Sequence, residues 1–538
     1  MFFLNHPYDD HISTSNVDHT GDSVTFPEQA YNAHADQNHH DSAMDSKESI
    51  RNSVSPNTSG HYNLLVIISS PMSELKSRKL LRKYLFGIND NLDSCMKQET
   101  NIYYKFLVPP YNKKRNDVLR EYTAELIEYN DIIEFQVPAG QSWQRTILEW
   151  AQSLDKKRIT YNHVVILDVH SIINLEKIQQ ILDSSLINGH RLNTKRKSNL
   201  VWGLFDVQGG DDMFVVLGQK AIATILNENE NDVNPIAQAY QHRSKKGSLY
   251  FINDHIGMLD WSNSIENIPT ETTIAVGHIY QEKEVGDLVV HLNLPATKIC
   301  YPRTLKEEDK PSIAVVTSSY VYENFCMLPA AVEAADNKRD YALRNGYAFV
   351  ARSLEFAQQH YKGRKAVWGK IDALEKVLPH YDWLFWIDMD AIIANPAVTI
   401  EDLLEKFSGI VGGKENFNDI NLIVARPEGD PSINAGVFLM RNSDWSRQFL
   451  RDVQKQKNYF NFRMYEQRAM WNMVRKPKYR SGTLLLDNDD HTFNTFPHLY
   501  HPGDFVIHFA PDSCPAKPLL KALANLKETE ADIHIEIL

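Results

Sequence analysis

The 538-residue chain has only four cysteines, Cys95, Cys300, Cys326 and Cys514, too few and too scattered for a metal cluster or a disulfide-stapled mini-fold. A bridge stays open to them in an oxidising compartment, with the pairing not legible from spacing. The chain lacks any run of about 18 apolar residues, which excludes a membrane span within the sequence as given. Its start, Met1-Phe2-Phe3-Leu4-Asn5, lacks a basic n-region and an apolar h-region and turns acidic at Asp9, so no signal peptide is expected. It also lacks an excess of positive charge. A net charge of -12 argues against nucleic acid as the main partner, because that binding needs clustered Lys and Arg to neutralise phosphates. Residues 1–60 lack apolar periodicity and are rich in Asp, Asn, Ser and His. They are expected to form a disordered polar tail, with His34, His39 and His40 solvated.

The whole chain is 43% hydrophobic and 23% charged, enough for a large core divided among two or three domains. Apolar runs at 64–68, 104–108, 132–135, 164–167 and 201–205 alternate with helical patterns over 75–86, 141–154 and 173–184. That alternation predicts a mostly parallel sheet with crossover helices over 61–300. The Pro-flanked, charged passage 301–311 reads as a linker. A second α/β block, 312–538, repeats the logic with strands at 313–317, 347–350, 384–387, 421–425, 435–440 and 505–509. The expected fold class is α/β, two such domains in tandem.

The most informative stretch is Leu384-Phe385-Trp386-Ile387-Asp388-Met389-Asp390, an apolar strand ending in two carboxylates spaced i, i+2. Extended geometry puts both on one side, where a divalent cation can be held against a phosphate. A plain buried strand followed by an acidic turn is the simpler reading of these residues alone. His508, closing the strand Phe505-Val506-Ile507, is a candidate third ligand, or else an ordinary core histidine. Asn434-Ala435-Gly436 offers an amide and a close backbone approach, the equipment for reading hydroxyl groups, or a turn before a helix capped at Ser443 or Asp444. Lys370, early in a helix, reaches either a phosphate or solvent.

As an ordered set these residues resemble glycosyltransferase family 34. The resemblance rests on Asn337-Lys338-Arg339-Asp340-Tyr341-Ala342, Gly346-Tyr347, Trp368-Gly369-Lys370, Trp386 to Asp390, Ile433 to Ser446, Glu466-Gln467, Phe493-Asn494 and Gly503 to Phe509, and covers about 311–520. That family holds fungal α-galactosyl and α-1,6-mannosyl transferases and plant xyloglucan xylosyltransferases. The resemblance implies a GT-A type fold. It implies a retaining transfer of a hexose, galactose or mannose, from UDP-galactose or GDP-mannose to a glycan or polysaccharide acceptor, for protein glycosylation among other ends. Mn2+ or Mg2+ would be held by Asp388, Asp390 and His508, with Lys370 and Gly436 contributing to the nucleotide sugar. Glu466 and Gln467 would stand beside the reacting carbon, and Asn434 would contact donor or acceptor. The family resemblance further implies a Golgi membrane or lumen setting, an anchor outside this sequence, and room for a complex with other glycosyltransferases. One departure is the stretch after His508, where the family's usual Gly-Cys is absent and Lys517 stands in for the phosphate-gripping lysine.

The first block is similar, more faintly, to the β-1,3-galactosyltransferase-like family 31, on Arg78, Arg82, Asn130-Asp131-Ile132-Ile133, Asp168-Val169-His170 and Asn253-Asp254-His255-Ile256-Gly257. Its metal motif is degenerate, with one carboxylate, which suggests a non-catalytic or specificity role ahead of a second transferase. Two rival readings of the whole chain are a haloacid dehalogenase-type phosphatase and a carbohydrate-binding scaffold of decayed transferase domains. In the phosphatase, a D-x-D strand opens the core and is followed by Thr or Val where Ile392 stands.

Overall fold

The computed structural model describes residues 60–92, 97–98, 101–109, 116–205, 214–228, 234–242, 248–297, 300–301, 310–427, 432–462, 464–510 and 512–536. The expected tail, its histidines and most of the expected linker lie outside the described residues.

The first sheet has seven strands: β1 (Gly60–Ser69), β2 (Ile102–Val108), β3 (Ile132–Glu134), β4 (Ile159–Asp168), β5 (Leu200–Gly203), β6 (Phe214–Gly218) and β7 (Tyr250–Asn253). Their order is β7-β5-β6-β4-β1-β2-β3, with β6 antiparallel to both neighbours and the other pairs parallel. The run Leu64-Leu65-Val66-Ile67-Ile68 is fully apolar because both faces of β1 are covered. Leu64, Val66 and Ile68 pack with helices α1 (Leu75–Phe86) and α2 (Asn116–Tyr129), while Leu65 and Ile67 pack with helix Trp143–Ser153. Arg78 and Arg82, on α1, are buried against Glu125 and Asp131 (2.6–2.7 Å), so these basic residues fix α1 to α2. Asn253 and Asp254 bond the backbone of Phe205 and Gly257, closing turns.

The second half contains β8 (Ile313–Ser318), α3 (Ala331–Arg344), β9 (Ala348–Arg352), α4 (Gly369–Val377), β10 (Trp383–Ile387), β11 (Ala391–Ile393), β12 (Leu422–Ala425), β13 (Val437–Arg441), α5 (Asp444–Gln454), α6 (Tyr465–Val474), β14 (Thr483–Leu486) and β15 (Val506–His508). Its main sheet runs β9-β8-β10-β13-β12-β14, with β13 antiparallel to its neighbours, while β11 pairs antiparallel with β15. Again the period-2 alternation assigns the core. Ile313 and Val315 face α3, and Ala314 and Val316 face α4. Ser443 caps α5 by accepting the Ser446 N–H at 3.1 Å, the turn-and-cap reading of that segment.

Numbered along the chain, and leaving aside edge strand β3, the two sheets have one strand order: second, first, third, fifth, fourth, sixth. The fifth strand is antiparallel in both. The halves nevertheless belong to one compact unit, residues 50–538. Arg352, at the end of β9, pairs with Asp90 and Asn91, and the Arg339 guanidinium donates to the Ile127 carbonyl. The two sheets therefore share one unit rather than forming two separate domains, and buried polar contacts join them. A disulfide links Cys326 to Cys514, with Cα atoms 5.4 Å apart. No described helix is long and apolar enough to cross a membrane.

Candidate active site

Three chain segments meet at the carboxyl end of β10. Asp388 follows its last residue, Asp390 begins the turn into β11, and His508 lies opposite Ala391 in the β11–β15 pair. Their ligand atoms all fall within 4.8 Å of one another, a set that could hold a metal ion. His508 donates from Nδ1 to the Asn494 side-chain oxygen at 2.8 Å, the role that an acceptor-only amide oxygen imposes. That leaves Nε2, buried and without a hydrogen-bond partner, 3.5 Å from Asp390 Oδ1. A buried lone pair with no donor, beside two carboxylates, fits a divalent cation. The oxygen-rich donor set with one imidazole suits manganese or magnesium.

Each ligand is held by a neighbour. The Trp386 indole donates to Asp388 Oδ1 at 2.7 Å, and the Asp388 N–H bonds the Gly436 carbonyl at 2.8 Å. A Cβ on Gly436 would sit 2.2 Å from the His508 ring, so a side chain there would displace the imidazole. Lys370 is buried, not solvated. Its ammonium lies 3.0 Å from Asp388 and 3.3 Å from Glu466, and donates to the Ala435 carbonyl at 2.9 Å. Burial alone would lower its pKa, and the two carboxylates outweigh that and raise it. Glu466 is pushed up to about 7, by burial first, with Lys370 opposing and Asp388 adding to the rise.

Asn434 and Gln467 carry local structure. Asn434 Oδ1 accepts from the Gly436 N–H at 2.7 Å and Gln467 Oε1 from the Ala435 N–H at 2.9 Å, so both brace the 434–436 turn under Asp388. Lys517 is exposed.

Sequence reasoning missed Lys338 as a participant. It is fully buried in α3 and donates to the Ala334 carbonyl at 3.0 Å and, more weakly, to Met389, between the two aspartates, at 3.4 Å. Asn337 beside it grips both backbone groups of Ile393 at 2.8 and 3.0 Å. Together they clamp the acidic turn.

A pocket of about 470 Å3 lies between the loop after β8 and the segment before α4, lined by Tyr320, Tyr322, Phe356, Arg364, Lys365 and Tyr465. Tyr465 in its wall opens α6, the helix that carries Glu466, so this aromatic and basic pocket lies beside the start of that helix. A larger cavity, about 900 Å3, lies between α3 and the helix Ala516–Glu536, and neither pocket is lined by any of the three ligands.

Residues 309–410 match the model of the galactosyl transferase GMA12/MNN10 family. That match lies within the second half of the chain. The match contains β8, α3, α4, β10 and the acidic turn with Lys370, Asp388 and Asp390, while Asn434, Gly436, Glu466, Gln467 and His508 lie beyond it. The chain is 29% identical over 133 residues to the probable alpha-1,6-mannosyltransferase MNN10 of Saccharomyces cerevisiae, covering 21% of this chain and 34% of that one. It is 28% identical over 211 residues to the uncharacterized alpha-1,2-galactosyltransferase C1289.13c of Schizosaccharomyces pombe (32% and 54%). An alpha-1,2-galactosyltransferase of the same yeast matches at 26% over 229 residues (35% and 59%). The chain thus spans about a third to three fifths of the length of these relatives. The resemblance of the first half to family 31 expected from sequence is not shown by these matches. Among solved structures, a glycosyltransferase involved in glycosylation of the major capsid of PBCV-1 aligns at 18% identity and a TM-score of 0.28, over 40% of this chain and 100% of that one, too low to support an argument.

Proposed function

We propose that this chain is a hexosyltransferase that moves galactose or mannose from UDP-galactose or GDP-mannose to a glycan or polysaccharide acceptor, with retention of configuration. The observation that carries the reading is the convergence of Asp388, Asp390 and the unpartnered His508 Nε2 at the carboxyl end of β10. Asp388, Asp390 and His508 would hold Mn2+ or Mg2+, which when bound neutralises charge on a departing diphosphate. Lys370 keeps Asp388 and Glu466 in place and supplies a fixed positive charge at the same spot. Glu466, a buried carboxylate, is the group suited to stabilising positive charge on a reacting sugar carbon. Gly436 lets the backbone approach the donor. Asn434 and Gln467 act by holding the turn against which the donor would rest. Names of the relatives support the galactosyl or mannosyl choice, and neither the phosphatase nor the scaffold alternative gains from them.

A lumenal, Golgi setting is part of the proposal. The Cys326–Cys514 disulfide supports it, because such a bond persists in oxidising compartments. The test is nucleotide release by the purified chain with manganese, across UDP-galactose, UDP-glucose, UDP-xylose, UDP-N-acetylglucosamine and GDP-mannose. Release from a galactose or mannose donor, abolished in Asp390→Ala with unchanged circular dichroism, is the expected outcome. Full activity in that variant refutes the metal assignment. No release from any donor, together with no calorimetric binding of UDP or GDP with manganese, refutes the transferase reading.

A further inference from the structure

The shared strand order allows the two halves to be compared position by position. In the second half the acidic turn is Asp388-Met389-Asp390, Ala391 follows, and Ala391 faces His508 across the small antiparallel pair. In the first half the turn is Asp168-Val169-His170, and Ser171 leads into Ile172–Ile173, which pairs antiparallel with Ala275 and Val276. Ile172 faces Val276 as Ile392 faces Ile507, so Gly277 occupies the place of His508. The set Asp, Asp, His has become Asp, His, Gly. The one carboxylate left is engaged: Asp168 Oδ1 accepts from the His170 N–H at 2.8 Å and from the Ser171 hydroxyl at 2.9 Å. His278, next along, pairs instead with Asp260 at 3.2 Å. Beside this turn, among the described residues, lies a cavity of about 20 Å3 walled by Val169, His170 and Tyr280, room for about one water molecule and too small for a nucleoside diphosphate.

The first half does touch the second half's pocket, from behind. Glu128, near the end of α2, accepts from the Ser319 hydroxyl at 2.7 Å and the Ser353 hydroxyl at 2.5 Å, tying together the loops that follow β8 and β9. Arg120, two turns earlier on α2, lies over the Tyr320 ring with its guanidinium carbon 5.5 Å from the centroid. Tyr320 and Tyr322 line the pocket. Beyond Arg352, Asn91 donates to the Ala351 carbonyl and Tyr381 to the Leu92 carbonyl at 2.9 Å, so contacts between the halves gather around these loops.

We infer that the first half holds no donor site and serves as an in-chain positioning element, with Glu128 and Arg120 setting the Ser319–Tyr322 wall of the second half's pocket. The description of that wall as a donor pocket rests on the function proposed above, whereas the mechanical claim does not. A loop fixed from outside its own sheet loses order when its anchor is removed, while the sheet it follows keeps its own hydrogen bonds.

The experiment is hydrogen exchange on the full chain carrying Arg120→Ala, with Glu128→Ala as a second variant. Exchange at amides 319–325 should rise about tenfold while that of β8 and β10 stays unchanged. Unchanged exchange in that loop in Arg120→Ala, or an equal rise throughout both sheets, overturns the inference. Calorimetry of Asp388→Ala/Asp390→Ala with UDP or GDP and manganese should find no site, and a remaining site would assign donor binding to the first half and overturn it as well. Failure of the unaltered chain to bind either nucleotide counts against the transferase reading alone, because loop exchange is measured without donor. Where turnover is present, Arg120→Ala should raise the donor KM several-fold at unchanged kcat, the split expected of a positioning residue and not of lost folding.

Discussion

At the residue scale the site depends on what each ligand's other side is bonded to. His508 can offer Nε2 as a lone pair only while Nδ1 keeps its proton, and Asn494 enforces this with its side-chain oxygen. Asn494→Ala should therefore weaken manganese binding about 10–100-fold with the fold retained, measured by titration calorimetry, and Asn494→Asp should recover most of the loss. Equal manganese affinity in Asn494→Ala would show that the ring is oriented by packing alone. The residues around Asp388 act in the same way. Trp386 and Lys370 hold its carboxylate, and the Gly436 carbonyl holds its backbone N–H. The aspartates and His508 were legible in the sequence because a strand ending in D-x-D and a strand-closing histidine carry a recognisable pattern. Lys338 was not, since a lysine on an amphipathic helix reads as a solvent group, and only packing against the acidic turn buries it.

At the element scale, β1, β4, β8 and β10 were legible because helices on both faces demand an uninterrupted apolar run. Strand direction was not. The antiparallel placement of β6 and β13 follows from the connections around them, and period-2 patterning is the same in both directions. One element carries a titration of its own. His163, buried in β4, has its pKa driven down to about 4, by desolvation first and then by Lys197. The unfolded chain binds this proton near pH 6.5 and the folded chain only near 4. Its neutral form therefore supports folding fully above 6.5, and that support is lost as pH falls through 4. With β4 intact, His163→Gln should remove up to about 3 kcal/mol of this acid sensitivity, read as a flatter dependence of denaturant midpoint on pH between 7 and 4. An unaltered acid limb would assign the sensitivity to other groups.

At the scale of the whole molecule, the loop after β8 is held at three places: by the first half through Glu128, by its own sheet, and by the Cys326–Cys514 bond. The disulfide spans 188 residues of sequence. Loop-closure entropy for a loop of that length is about 5 kcal/mol, an upper value because unfolded chains keep residual structure. Cys326→Ser should lower Tm by several degrees relative to the unaltered chain, and an equal Tm in the two would show that the bond contributes no stability.

By itself the sequence determined the alternation of strands and helices and a strand-end carboxylate pair followed by a strand-closing histidine. Local patterning and motif spacing are properties of neighbouring residues. Only the tertiary structure decided that Lys370 is a buried partner of Asp388 and Glu466, that Gly277 stands where His508 would, and that Glu128 reaches Ser319 and Ser353. Those contacts join residues from 18 to 225 positions apart. Which side chains meet at such separations is set by strand order and by the packing of the two sheets, and no local pattern records it.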